Sequence, residues 1–301
     1  MSQSIESMKR ALIFPGQAAQ FEGMGSNLVT KFPELNSLLD NANDILGFDI
    51  RKVMFEGSAD ELKRTDVTQP AVFIHSYLVL TSHESVDFEA VAGHSLGEFT
   101  ALVAAGVMSF EEGLQLVKTR SSLMQEACAS TNGSMAAIIG LDDDVVESIC
   151  AEIDGEVVAA NYNCPGQLVI SGEMSALEAA TAKMTEAGAR RAMILSVGGA
   201  FHSALMSSAS EGLSNAINAI KFSAPKCAIY QNVDAKAYTD PEMIKANLIS
   251  QLDSSVRWTQ TIQNMIADGI EEFIEVGGKG NILNGMIRRI DRSANTEAWK
   301  E

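Results

Sequence analysis

Between residues 88 and 105 the chain reads FEAVAGHSLGEFTALVAA. An apolar run ends at Gly93, and Gly93-His94-Ser95-Leu96-Gly97 follows in the pattern G-x-S-x-G. From there Leu96, Phe99, Leu102 and Val103 recur at helical spacing. A strand that turns into a helix this abruptly has no room for side chains beside the turn, so glycines flank it and the residue at the tip is strained and exposed. Ser95 is therefore the candidate nucleophile. The competing reading is a tight turn whose hydroxyl only caps the helix.

The 301 residues suffice for a substantial core in one large domain or a domain with an insertion. Short apolar runs alternate with longer helical patterns: ALIF (11 to 14) and FEAVAG read as strands. TQPAVFIHSYLVLTSHE reads as a helix with Pro70 in its first turn, and a second helix lies near 110 to 127. This alternation predicts a parallel α/β sheet. The middle of the chain differs. SMAAIIGL, EVVAANYN, LVISG and RRAMILSV read as strands, DDDVVESICAEI and MSALEAATAKMTEAG as helices, the latter with a capping box from Ser175 to Glu178 and a stop at Gly188. That β-α-β-β-α-β order is the split pattern of a ferredoxin-like unit. We expect it as a small subdomain at 130–200, inserted into a large discontinuous α/β subdomain of 1–129 and 201–301. CAIYQNV and EEFIEVG are strand candidates after the insertion.

Lys plus Arg number 22 against 39 Asp plus Glu, a net charge of −17. Such a field repels phosphate backbones and anionic bilayers, so neither nucleic acid nor membrane is an expected partner. MSQSIESMKR lacks a signal-type apolar segment and no apolar run approaches a membrane span, so a soluble cytoplasmic protein is expected. Cys128, Cys150, Cys164 and Cys227 form no Cys-x-x-Cys pair and are expected as buried thiols, with neither a metal site nor a disulfide.

A serine nucleophile needs a base, and the chain has four histidines. His94, beside Ser95, should point away from it into packing or a backbone hydrogen bond. His75 and His83 belong to a helix and its end. His202 follows SVGGAF, where the chain returns from the inserted unit, a natural rim for a cleft. The residues alone leave open whether His202 is the base or a structural residue.

At these residues the chain resembles the malonyl-CoA:acyl carrier protein transacylases. The likeness runs through FPGQ with GMG (14 to 25), TQPA (68 to 71), GHSLGEFTALVAAGV (93 to 107), RSSLMQEA (120 to 127), GSMAAIIGL (133 to 141), NCPGQLVISG (163 to 172), AFHSALM (200 to 206), NVDA (232 to 235) and QLDSSVRWTQTI (251 to 262). The resemblance implies an α/β-hydrolase-like core with a ferredoxin-like insert, Ser95 as nucleophile and His202 as base. It implies that the Gln251 backbone carbonyl orients His202 and that the amides of Gln17 and Leu96 form the oxyanion hole. It also implies that Arg120 grips the malonyl carboxylate and that Phe201 crowds out an α-methyl branch. A guanidinium can take a carboxylate in a bidentate grip that lysine cannot reproduce. Without the resemblance Arg120 reads as a solvated helix residue and Gln251 as a helix-end side chain.

The implied reaction is malonyl transfer from malonyl-CoA to the phosphopantetheine thiol of acyl carrier protein, in fatty acid biosynthesis, by a monomer without cofactor. Two rivals stay open: a serine thioesterase or esterase on the same elbow, and a non-catalytic carrier-protein docking module. Carrier proteins of this family are acidic, so a local basic patch is required, with Arg190, Arg191, Arg288 and Arg289 as candidates. The chain departs from the family at EVGGKGNIL (275 to 283), which lacks the usual proline and carries an apparent extra residue, and at Ser255, where proline is common.

Overall fold

The computed structural model describes residues 8–83 and 86–301. Its main sheet comprises β1 (Arg10–Phe14), β2 (Ala90–Gly93), β7 (Ala228–Tyr230), β8 (Ala237–Tyr238), β9 (Glu272–Val276) and β10 (Asn295–Trp299), in the order β10-β9-β1-β2-β7-β8. All neighbours run parallel except the β7–β8 pair at one edge. Parallel strands buried on both faces need continuous apolar sequence, and Ala11 to Phe14 are wholly buried. Helices cover both faces: Thr65–Ser82, Gly97–Ala104 and Phe110–Ser130 pack on one, Trp258–Ala267 and Ile282–Ile290 on the other.

The second sheet comprises β3 (Gly133–Ile139), β4 (Val157–Cys164), β5 (Gln167–Glu173) and β6 (Arg191–Ile194), with helices Asp143–Glu152 and Met174–Glu186 interleaved. Its order, β4-β5-β3-β6, is antiparallel throughout and matches the expected β-α-β-β-α-β unit. It has its own core of Ala136, Ile138, Val146, Leu168, Ile170 and Leu177. The two sheets are stitched where Val256 bonds across to β4: its N–H donates to Ala160 O at 2.8 Å and its carbonyl accepts from Tyr162 N–H at 2.9 Å. Ser255 joins this seam, donating its hydroxyl to Ala159 O at 2.7 Å, a bond that a proline there could not supply.

Some local expectations are corrected. The helix carrying Pro70 begins at Thr65, so the proline sits in the second turn. Ser175 caps nothing: its helix starts at Met174 with Glu173 as N-cap and no side-chain cap bond. The capping box that does form is Ser109 with Glu112, at the start of helix Phe110–Ser130. β8 and β10, short edge strands, have no counterpart in the sequence reading.

The glycines of the elbow are required by contact. A Cβ on Gly93 would lie 1.9 Å from the carbonyl carbon of Gly97, and one on Gly97 would lie 2.0 Å from the carbonyl oxygen of Phe14. Backbone on every side cannot yield as a side chain would. Gly97→Ala should therefore lower stability by about 3 kcal/mol or more, at the upper end of overpacking costs. Urea denaturation checks this, and an unchanged midpoint would contradict it.

Candidate active site

β2 ends at Gly93, the helix begins at Gly97, and Ser95 between them adopts φ 52°, left-handed backbone that a side chain rarely tolerates. His202 is likewise left-handed, at φ 59°. It stands just before the short turn Ala204–Met206, on the segment returning from the second sheet. These two unusual turns meet: Ser95 Oγ lies 2.8 Å from His202 Nε2.

The tautomer follows from the other ring nitrogen. His202 Nδ1 lies 3.1 Å from the carbonyl oxygen of Gln251 and 3.0 Å from that of Ser254. Carbonyls only accept, so Nδ1 carries the proton and donates, leaving the Nε2 lone pair to receive the serine proton. Among the described residues no carboxylate is hydrogen-bonded to the ring. Burial, with the nearby positive charge of Arg120 second, pushes the His202 pKa down to about 3, so the resting imidazole is neutral.

Arg120 is fully buried on helix Phe110–Ser130. Its guanidinium donates to Gln69 Oε1 at 2.6 Å, to Ser95 Oγ at 3.0 Å and to Gln251 Oε1 at 3.3 Å. Every one of these acceptors is neutral, and its Nε has no partner among the described residues. Burial lowers the Arg120 pKa to about 10, so it stays charged at neutral pH. The reading of this residue as solvated, made without the resemblance, is thus corrected. The serine hydroxyl donates to His202 and accepts from Arg120, which polarises it toward an alkoxide.

Gln17 lies in the loop after β1, pressed against the elbow: a Cβ on neighbouring Gly16 would fall 2.5 Å from His94 O and 3.7 Å from Leu96 N. Among the described residues neither the Gln17 amide nor the Leu96 amide donates to a protein acceptor. Both are therefore available to an oxygen at the serine. Ala18, next in the loop, is also left-handed at φ 81°. The loop is backed by the unusual glycine segment. Gly278 packs on Ala19 and Pro15, its N–H donates to His75 Nδ1 at 3.2 Å, and Phe21 meets His75 edge-on with ring centroids 5.4 Å apart. The departure at EVGGKGNIL thus lies against the back of the Gln17 loop, with buried His75 touching both segments.

A cleft of about 400 Å³ opens over Ser95, between the two sheets. Gln17, Ser95, Phe201 and His202 line its floor, Met135 and Val169 one wall, Leu283 and Met286 another, with Lys63 the one lysine or arginine among its lining residues. Arg120 lies beneath the serine, outside the lining. His94 turns away from the serine as expected, but its hydrogen bond is to a side chain: Nε2 lies 2.8 Å from Asn163 Oδ1, and the ring packs on Trp258. Arg190 and Arg191 at β6 and Arg288 and Arg289 on helix Ile282–Ile290 are exposed, and Arg289 donates to Gln167 Oε1 at 2.6 Å. Sequence reasoning missed Gln69, Ser254, Asn232 and Glu98. Gln69 and Asn232 lie within the TQPA and NVDA blocks, which carried the likeness but no assigned chemistry.

The neutral imidazole is open to direct test. In histidine-labelled protein, NMR titration should show His202 neutral and protonated on Nδ1 from pH 8 down to about 5, because burial disfavours its charged form. A midpoint near the ordinary 6.5 would contradict it.

The chain is similar to known proteins over nearly its whole length. The acyl transferase domain family matches residues 11–298. A malonyl CoA-acyl carrier protein transacylase of Staphylococcus aureus strain MRSA252 is 40% identical over 287 residues, covering 94% of this chain and 93% of that protein. The crystal structure of an acyl-carrier-protein S-malonyltransferase from Burkholderia pseudomallei 1710b superposes with a TM-score of 0.93 at 39% identity, covering 98% of this chain and 97% of that one. A malonyl-transacylase solved in complex with its type II polyketide synthase acyl-carrier protein gives 0.93 at 36% identity, covering 97% and 96%. With a serine, a neutral histidine and a buried arginine hydrogen-bonded to no carboxylate converging under one cleft, the chain belongs to the acyl transferase domain family, among the malonyl CoA-acyl carrier protein transacylases.

Proposed function

We propose that the protein moves the malonyl group of malonyl-CoA to the phosphopantetheine thiol of acyl carrier protein, through a malonyl ester of Ser95. The observation that carries this reading is Arg120, a buried cation bonded only to neutral acceptors and in contact with the serine oxygen. A buried charge wants a counter-ion, and an acyl group bearing its own carboxylate supplies one.

In the first half-reaction Ser95 Oγ attacks the thioester carbonyl carbon as its proton passes to His202 Nε2. The tetrahedral oxyanion is received by the amides of Gln17 and Leu96, donors of a type worth about 2.7 to 4 kcal/mol each. Collapse breaks the carbon–sulfur bond, and the departing CoA thiolate takes the proton back from the imidazolium. In the second half-reaction the phosphopantetheine thiol gives its proton to His202 and attacks the ester, and Ser95 leaves as the alcohol. The malonyl carboxylate takes over Arg120. By offsetting the positive charge that depresses His202, it makes the base stronger when the correct substrate is present. Carbonyl acceptors on Nδ1 suit this task, since a carboxylate there would repel the substrate's own.

We assign Phe201, beside the base, to crowding an α-methyl branch, a discrimination of about 1 to 3 kcal/mol. Residues 130–200 serve in this reading as a small subdomain forming one wall of the cleft, over the large subdomain of 1–129 and 201–301. The exposed arginines are assigned to an acidic carrier protein, and the enzyme to the cytoplasm and to fatty acid synthesis.

Intact-mass analysis after mixing with malonyl-CoA should show one malonyl group on the wild type, mapped to Ser95, and none on Ser95→Ala. An adduct on Ser95→Ala would refute the assignment. Arg120→Ala should lose malonyl transfer by about 100-fold relative to acetyl transfer, the equivalent of a charge-assisted pair. Equal losses for the two acyl groups would leave Arg120 a structural residue.

A further inference from the structure

We propose that Asn232 and the side chain of Gln251, anchored by Glu98, are positioning residues that clamp the two peptide groups on either side of Ser95. The inference rests on Ser95 being the acylated residue. Left-handed backbone costs a non-glycine residue roughly 1–3 kcal/mol and persists only where its surroundings over-determine it. Three buried side chains do so here.

The Asn232 carboxamide spans the elbow. Its Nδ2 donates to Gly93 O at 2.7 Å and its Oδ1 accepts from Ser95 N–H at 2.7 Å, which fixes the peptide ahead of the serine. Gln251 Nε2 donates to Ser95 O at 2.9 Å, which fixes the peptide behind it. That second peptide also carries the Leu96 N–H. In a trans peptide the carbonyl and N–H point opposite ways, so holding Ser95 O on Gln251 turns the Leu96 amide to the other side, toward the cleft. The side chain of Gln251 thus aims an oxyanion donor, separately from its own carbonyl, which holds His202.

Glu98 closes the cluster. It stands on the first turn of the helix that leaves the elbow, wholly buried. One carboxylate oxygen accepts from Asn232 N–H at 2.8 Å and the other from Gln231 Nε2 at 3.1 Å. A buried carboxyl without catalytic contact is costly, and one of its partners here, Asn232, is a residue that holds the nucleophile. Asn232 bonds the backbone of the elbow and Glu98 bonds Asn232, neither reaching the Ser95 hydroxyl or the imidazole, so both act through the Ser95 backbone, whatever acyl group arrives.

Single-turnover acylation of the full chain, read by intact mass with malonyl-CoA and with acetyl-CoA, tests this on Asn232→Ala and on the isosteric Glu98→Gln. The saturating rate constant should fall by ~100-fold in the first and ~10-fold in the second, as for a reacting group displaced by about an ångström. The half-saturating concentration should stay within about twofold, and both acyl groups should be slowed by the same factor. A first-order rate constant reports the folded molecules alone, so reduced yield does not obscure it. Unslowed acylation in either variant, even with a lowered Tm, or a loss confined to malonyl, would overturn the clamp. A wild type that forms no Ser95 adduct would remove the proposed function and this inference with it; a wild-type adduct with unslowed variants removes only the clamp.

Discussion

The site depends on the left-handed turn at Ser95. At φ 52° the backbone reverses between a buried strand and a buried helix so tightly that glycines at 93 and 97 touch backbone atoms where any side chain would stand. This turn sets Ser95 Oγ at the cleft floor, gives the Leu96 amide its place at the helix start, and presses Gly16 and the Gln17 loop against the elbow. A conventional turn would keep the same residues and lose the convergence.

The charges around that turn are arranged so that the resting site is incomplete. Arg120 is buried and cationic, yet its hydrogen bonds go to Gln69, Ser95 and Gln251 and to no carboxylate. The burial of the ring, with the Arg120 field second, keeps His202 neutral, and two backbone carbonyls hold the ring in the tautomer that faces the serine. Glu98, the nearby carboxylate, is spent on Asn232 and Gln231 instead. In the proposed reaction an acyl group bearing its own carboxylate adds a negative charge at Arg120, which would tie substrate choice to the basicity of His202.

Much of this could be read from the sequence because it is written in local pattern. Apolar runs ending in glycine gave β1 and β2, G-x-S-x-G gave the elbow, and the β-α-β-β-α-β order gave the second sheet. What could not be read is set by contacts between distant segments. Arg120 lies on a helix whose pattern does not tell a solvated arginine from one aimed inward, and only its packing beneath Ser95 distinguishes them. Asn232 is a short polar residue just past β7, and its meaning comes from the elbow more than a hundred positions earlier. The edge strands β8 and β10 are two and five residues long and half polar, too weak a period to announce themselves. The altered EVGGKGNIL segment likewise makes sense only beside His75 and Ala19.

The most direct test of the central claim is a crystal structure of the protein trapped after malonyl-CoA has been added. The account predicts density continuous from Ser95 Oγ into a malonyl ester, its free carboxylate on the Arg120 guanidinium and its carbonyl oxygen facing the amides of Gln17 and Leu96. An ester whose carboxylate points to solvent with Arg120 still bonded to Gln69 and Gln251 alone, or an acyl group attached to another residue, would contradict it.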